Sequence, residues 1–256
     1  MTALTLTLND SSVMLRRVLR HTTRNPATLI MSVLLPAILL LLLDFGFGGA
    51  IRIPGGDYID YLVPGIVLMG AGYSVSATAV AVATDISEGI IDRFRTMAIS
   101  RTAVLTGHVV GSLLRGLIGT ALVMLIAVAV GFRPTADPLR WLGVLGLTAL
   151  MLFAIAWVAA AIGLATGTPA GAAGFAGLFQ ILPFLSGAFV PTETMPGWLQ
   201  AFTANQPMTP IASTLRALLA GESPGDTAWV AVAWCCAAAL LGYLGARRAY
   251  DRRASR

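Results

Sequence analysis

The chain has 256 residues, 57% of them hydrophobic and 11% charged, with a formal net charge of +5. A soluble domain carries roughly one quarter charged residues, so this composition excludes a soluble globular protein and describes an integral membrane protein. No hydrophilic stretch is long enough to fold separately, which leaves a single transmembrane domain over residues 1–256 rather than an anchor attached to a soluble enzyme.

The polar N-terminus lacks a short apolar region followed by a small-residue cleavage site and reads as uncleaved. Residues 11–24, SSVMLRRVLRHTTR, set Val13, Leu15, Val18 and Leu19 among Arg16, Arg17 and Arg20. That pattern suits an interfacial helix lying among lipid headgroups, and equally an ordinary basic flank of a span; the two are compatible. A helix needs about 20 apolar residues to cross the hydrocarbon core. Six segments qualify, at about 26–47, 61–83, 103–131, 139–164, 170–190 and 227–246, so the expected fold is an all-α membrane protein with six transmembrane helices and both termini on one side.

All 17 basic residues are arginines, and their placement decides which side that is. Arg16, Arg17, Arg20, Arg24, Arg93, Arg95, Arg101 and the C-terminal Arg247, Arg248, Arg252, Arg253 and Arg256 share one side, against Arg52, Arg133, Arg140 and Arg216 on the other. Short cytoplasmic loops carry the positive excess, so both termini are expected in the cytoplasm.

Between spans two and three, residues 85–98 read as a two-faced cytoplasmic helix. At about 100° per residue, Ile86, Ile90, Ile91, Phe94, Met97 and Ala98 share one face, and Asp85, Glu88, Asp92, Arg93 and Arg95 fill the rest. Asp85 and Glu88 have the spacing of an N-terminal capping box, and the arginines near the end suit the helix dipole. The residues alone fit equally a solvated helix that holds two spans in register and a docking surface for a cytoplasmic partner. On the outer side, residues 191–226 carry Trp198, Leu199, Phe202, Ile211, Leu215, Leu218 and Leu219 at helical spacing, which predicts two short helices in or on the interface, with Trp198 at headgroup depth.

Catalytic chemistry is sparse. There is no GxxxxGK[ST] phosphate loop, His21 and His108 lack metal-ligand spacing and read as interfacial side chains, and the adjacent Cys235 and Cys236 frame neither a disulfide nor a metal site. Arg115 lies inside span three, where a charge is a functional candidate, and in the inner half of the span it either snorkels toward the cytoplasm or pairs inside a cavity. The absence of acids or a Ser/His pair at mid-span argues against a proton-coupled carrier and an intramembrane protease. Gly163, Gly167, Gly171, Gly174 and Gly177 permit close helix approach, and with Pro169 and Pro183 they also allow a hinged pair.

Three stretches carry a resemblance: DISEGIIDRFRTMAISR from residue 85, DYIDYLVPGIVLMG from residue 57, and TMPGWLQAF followed by NQPMTPIASTLRALLAG in the last outer loop. Together they span essentially the whole chain and resemble the membrane subunits of ABC exporters of the type-2 permease superfamily, in particular the daunorubicin and doxorubicin resistance permeases. The resemblance implies a coupling helix at 85–98, with Asp85, Glu88, Gly89, Asp92, Arg93, Phe94 and Arg95 as its matching positions. It implies docking on a separate ABC ATPase subunit that binds ATP and Mg, no cofactor in this chain, a second permease copy forming a homodimer, and a bacterial inner membrane. Where the family has a Met-Pro run, this chain has Met97-Ala98, which removes a helix stop. Cargo would pass between permease copies along spans two and five, where Met69, Tyr73, Phe175, Phe179 and Phe184 offer apolar contacts. The implied function is a permease subunit exporting hydrophobic drugs, antibiotics or lipid-like compounds, without enzymatic activity or a nucleic-acid partner. The alternatives are a channel or secondary carrier without an ATPase, and a related permease exporting polysaccharide.

Overall fold

The computed structural model describes residues 26–49, 57–89 and 101–254, and all the regular structure among them is helical. In chain order it comprises α1 (Pro26–Phe47), α2 (Tyr58–Ser87), α3 (Arg101–Val130), α4 (Pro138–Thr166), α5 (Pro169–Ile181), two short 3-10 turns (Leu182–Leu185 and Thr192–Thr194), α6 (Gly197–Asn205), α7 (Met208–Leu219) and α8 (Thr227–Ala254). The expected interfacial helix at 11–24, with Arg16, Arg17 and Arg20, lies outside the described residues.

The protein is a multi-pass membrane protein. By length and composition α2, α4, residues 105–130 of α3 and residues 227–252 of α8 can cross a bilayer, whereas the apolar stretches Ser32–Phe47 and Pro169–Leu185 are shorter. Antiparallel neighbours follow from short connections, and local chemistry sets where the helices stop. Asp137 caps α4 by accepting from the Arg140 backbone N–H at 2.8 Å, and Pro138 occupies the first helical position, where a missing N–H does no harm. The same helix ends at Gly167, whose φ of 66° is the left-handed conformation glycine adopts freely. Thr168 then caps α5, so two residues suffice to reverse the chain.

α2 is the central helix, packed against α1, α3, α4, α5 and α7. Buried residues make up 61% of its apolar stretch, against 17% for α3 and α8. Its glycines allow this: a methyl at Gly65 would meet the Ala188 carbonyl at 2.7 Å, and one at Gly72 the Phe179 carbonyl at 3.0 Å. The outer helices leave Ile38, Leu42, Leu125, Leu142, Leu145, Leu240 and Leu241 exposed, the surface that lipid covers in a membrane protein.

The fifth apolar run departs from expectation. Instead of one helix over 170–190, α5 stops at Ile181 and gives way to a 3-10 turn and then irregular chain. Pro183 has no N–H to offer the Phe179 carbonyl, and that carbonyl lies against Gly72 instead. The irregular backbone that follows is satisfied by side chains, as apolar surroundings demand. Ser186 Oγ donates to the Pro183 carbonyl at 2.6 Å and accepts from the Ala188 N–H at 3.1 Å, Gln206 Nε2 donates to the Leu185 carbonyl at 2.8 Å, and Thr209 Oγ1 accepts from the Gly187 N–H at 3.2 Å. α7 is thereby part of the folded core, with Ile211, Leu215 and Leu219 buried, whereas α6 lies on the surface with Trp198 77% exposed.

The glycine series makes fewer close approaches than its spacing predicts. Gly163 does pack tightly, its added methyl meeting the Ala79 carbonyl at 2.5 Å, but nothing lies within 4 Å of such a methyl at Gly174 or Gly177. Gly167 serves as a cap, and Gly171 faces its own cap residue Thr168. Two further close approaches lie elsewhere: Gly116 against Leu152, and Gly242 against the Trp157–Val158 backbone at 2.7 Å. Beside the latter, Trp157 and Tyr243 meet edge to face at 5.0 Å and lock α8 onto α4.

Candidate functional site

Three polar features interrupt the apolar bundle, and all of them involve α2. The first is at the end where α2 gives way to α3. The Asp85–Glu88 spacing does not open a helix there; it closes one. α2 runs on through Asp85 to Ser87, Glu88 is its C-cap, and Gly89 takes a left-handed φ of 69°. The Glu88 N–H donates to the Thr84 carbonyl at 2.9 Å and the Gly89 N–H to the Ile86 carbonyl at 3.0 Å, the pairing of a glycine-terminated helix. Residues 85–98 are therefore not one continuous helix: the break falls at Glu88–Gly89, and Asp92, Arg93, Phe94 and Arg95 lie outside the described residues. An acid in the last turn opposes the helix dipole, and Asp85 meets a counter-group instead. His108 Nε2 of α3 lies 3.0 Å from its Oδ2, with both side chains 14% exposed. His108, expected as a bystander at the interface, thus ties the start of α3 to the end of α2.

The second feature continues along the same helix seam. Thr78 Oγ1 and Ser112 Oγ are 2.6 Å apart, and Ser74 Oγ lies 3.2 Å from Ser112. Further on, Ser32 of α1, Tyr73 and Ser74 of α2, and Arg115 and Thr120 of α3 line a cavity of about 40 Å³, with Gly70, Gly116 and Gly119 among its walls. Arg115 sits at the midpoint of α3, and no hydrogen bond or ion pair reaches its side chain among the described residues. The sequence signals this seam only weakly: His108, Ser112 and Arg115 recur every three or four residues, as do Ser74 and Thr78, but small hydroxyls in an apolar run barely change its hydropathy.

The third feature closes the opposite end. Tyr61 Oη donates to the Gly187 carbonyl at 2.7 Å, and Tyr58 Oη reaches the Phe189 carbonyl at a longer 3.4 Å. Arg216 of α7 stacks over the Tyr61 ring, 3.5 Å from its centroid, while its Nη2 donates to the carbonyls of Tyr61 and Gly187, each at 3.2 Å. Burial pushes the Arg216 pKa down from the usual arginine value, and the Tyr61 phenol oxygen pushes it back up; an arginine stays charged through such changes. Two of the stretches singled out in the sequence, DYIDYLVPG and MTPIASTLRALL, meet at this point. In the sequence Arg216 is merely one of four outer arginines, and nothing there pairs it with Tyr61.

The five residues suggested for a cargo pathway do not form one surface. Met69 is 5% exposed within the core, and Tyr73 lines the Arg115 cavity. Phe179 packs against the core, Phe175 is 62% exposed, and Phe184 stacks on Phe189 at 4.9 Å. Among the described residues no group of His, Cys, Asp and Glu could hold a metal ion.

The central helix is thus pinned at one end, paired with α3 through a polar seam, and stopped at the other end by Gly89. The profile of the ABC-2 type transporter family matches residues 10–220, most of the chain. The chain belongs to the ABC-2 type transporter family. Among similar proteins, the daunorubicin resistance ABC transporter permease protein DrrB1 of Streptomyces coeruleorubidus is 33% identical over 203 residues, 77% of this chain and 70% of that protein. The probable doxorubicin resistance ABC transporter permease protein DrrC of Mycobacterium tuberculosis is 26% identical over 243 residues, 91% of this chain and 86% of that one. The chain is accordingly a membrane permease of the ABC type, and each of the polar features above belongs to an ABC-2 permease. The matched region takes in the Asp85–His108 pair, the Arg115 cavity and Arg216 alike.

Proposed function

We propose that this permease forms the translocation pathway of an ATP-driven exporter of hydrophobic compounds, of the drug, antibiotic or lipid-like kind, in a bacterial inner membrane. The observation that carries this reading is the family match over residues 10–220, joined by relatives named as drug resistance permeases. In this reading α1 and the α5 segment complete six spans, both termini and residues 85–98 face the cytoplasm, and an ABC ATPase subunit docks there. ATP and Mg act on that partner, this chain contributes no reaction, and two identical permease copies complete the transporter.

The local geometry supports a mechanical role for the docking region. A push on residues 88–100 acts on α2 at its glycine-terminated end, and the 3.0 Å Asp85–His108 pair shares that push with α3. α2 in turn touches α1, α4, α5 and α7, so its displacement reaches most of the bundle.

Co-expression with an ABC ATPase subunit, followed by purification and transport into vesicles, tests the reading. The expected result is a stable complex whose transport requires ATP. In that complex Glu88→Arg, at an exposed position outside the core, leaves folding and ATP hydrolysis in place and lowers transport at least about tenfold, since exposed charges contribute little to stability. Transport that persists without ATP or ATPase overturns the export reading, and unchanged coupled transport in the variant overturns the role of Glu88.

A further inference from the structure

The cavity at Arg115 has no role in docking or in the pinning of α2. A guanidinium at the middle of an apolar helix is expensive unless something offsets its charge. Snorkelling is the usual escape, but Arg115 sits at the midpoint of its helix, partly buried and lining a cavity between α1, α2 and α3. No carboxylate meets it among the described residues, whereas the cavity wall supplies hydroxyls from Ser32, Tyr73, Ser74 and Thr120. These hydroxyls can donate as well as accept, Ser74 already pairing with Ser112 and Ser32 having a partner of its own, and the fixed charge is positive. The complementary ligand is an oxyanion.

A single water needs about 10–15 Å³ of such volume, so a cavity of about 40 Å³ has room for a small anionic group beside the guanidinium. Arginine matches a carboxylate through two parallel hydrogen bonds. The two outer helices of the cavity expose Leu34, Leu35, Ile118 and Leu122, apolar surface against which a hydrocarbon body can lie. We infer that the cavity between α1, α2 and α3 binds the carboxylate of an acidic amphiphile taken from the bilayer, with Arg115 as its counter-charge. This names a cargo class for the pathway and rests on the export reading above.

Binding to the purified permease alone, in phosphatidylcholine nanodiscs and at a pH that keeps the carboxylate ionised, provides the test. The probes are oleate, oleyl alcohol and oleylamine, with acetate as competitor. Oleate is expected to bind at least about tenfold tighter than the alcohol or the amine. Arg115→Gln removes that preference, Arg115→Lys retains most of it, and acetate does not displace oleate. Equal binding of oleate and oleyl alcohol, or an oleate preference that survives in Arg115→Gln, overturns the inference. Displacement by acetate also overturns it, because the site would then take the free ion rather than the amphiphile. Thermal unfolding of both variants confirms that they are folded. Adding the ATPase subunit separates the two claims: a permease that binds oleate through Arg115 but needs no ATP for transport refutes the export reading alone. A coupled exporter whose ATP hydrolysis responds to oleate identically in wild type and Arg115→Gln refutes the site alone.

Discussion

The two ends of α2 are held in opposite ways. At one end Tyr61 and Arg216 bind backbone carbonyls 126 and 155 positions away in the sequence, and Gly65 admits the Ala188 carbonyl into direct contact. At the other end the helix stops on Gly89, and the Asp85–His108 pair that holds it bridges only 23 positions. The first end cross-links distant segments through several donors at once. The second, among the described residues, is joined to α3 by contacts closer in sequence, the Asp85–His108 pair and the packing of Val82 with Leu105 and Val109. The contrast predicts that α2 pivots about the end cross-linked to distant segments, with displacement taken up where the restraint is local.

The contrast makes Arg216→Ala the substitution with the largest expected cost. It strips charged hydrogen bonds from two carbonyls and the stacking on Tyr61. Hydrogen bonds to charged groups contribute about 1.5–3 kcal/mol each and cation–π stacking about 0.5–2 kcal/mol, though such terms do not add fully. A loss of about 3 kcal/mol is expected in denaturant or thermal unfolding of the purified permease. Arg216→Lys recovers only part of it, because an ammonium lacks the planar guanidinium that stacks on the Tyr61 ring. A change under about 0.5 kcal/mol in Arg216→Ala means that this end is not pinned.

Helix packing gives the next effect and bears on the other end of α2. Gly163→Ala puts a methyl 2.5 Å from the Ala79 carbonyl and 2.9 Å from Val82, so α2 and α4 must separate, at an expected cost of about 1–3 kcal/mol. Gly174→Ala meets nothing within 4 Å and is expected to be neutral or to stabilise by up to about 1 kcal/mol through helix propensity. If both substitutions behave alike, close α2–α4 contact is not what seats this half of the helix. Tyr61→Phe isolates one hydrogen bond of the pinned end, the 2.7 Å contact with Gly187, and should lower stability by about 1 kcal/mol while keeping the ring under Arg216.

Much of this arrangement is legible in the sequence. Apolar runs locate α1, α2, α3, α4 and α8 to within a few residues at most of their ends, because a bilayer imposes length and composition on a span. The fifth run misleads, since hydropathy continues through Pro183 while the helical hydrogen-bond ladder does not. The capping-box reading of Asp85 fails for a related reason: the same acid-x-x-acid spacing lies inside a helix when the preceding residues already propagate one, and Gly89 is the better marker of its end. Arg115 announces itself as a charge among apolar residues. The contacts of Tyr61 and Arg216 with the carbonyls of 187 and 188 do not, because a backbone acceptor carries no sequence signal and α2 lies more than a hundred positions from these partners.

The Asp85–His108 pair carries the smallest expected effect on stability, and the measurement that matters is a coupling. Both side chains are 14% exposed, so their interaction is screened less than a surface pair, whose contribution is typically below about 1 kcal/mol. Asp85→Asn, His108→Gln and the double variant form a cycle that removes other effects of each substitution, and an interaction of about 0.5–1 kcal/mol is expected. Hydrogen exchange reads the same pair locally. Losing it should raise exchange at residues 84–89 and 105–109 together and leave residues 58–65 unchanged, since those amides are held from the pinned end. Faster exchange at both ends of α2 would mean that the helix moves as a unit rather than pivoting, and the contrast between its ends would fail. Faster exchange on one side of the pair only would mean that Asp85 and His108 do not carry motion from α2 into α3.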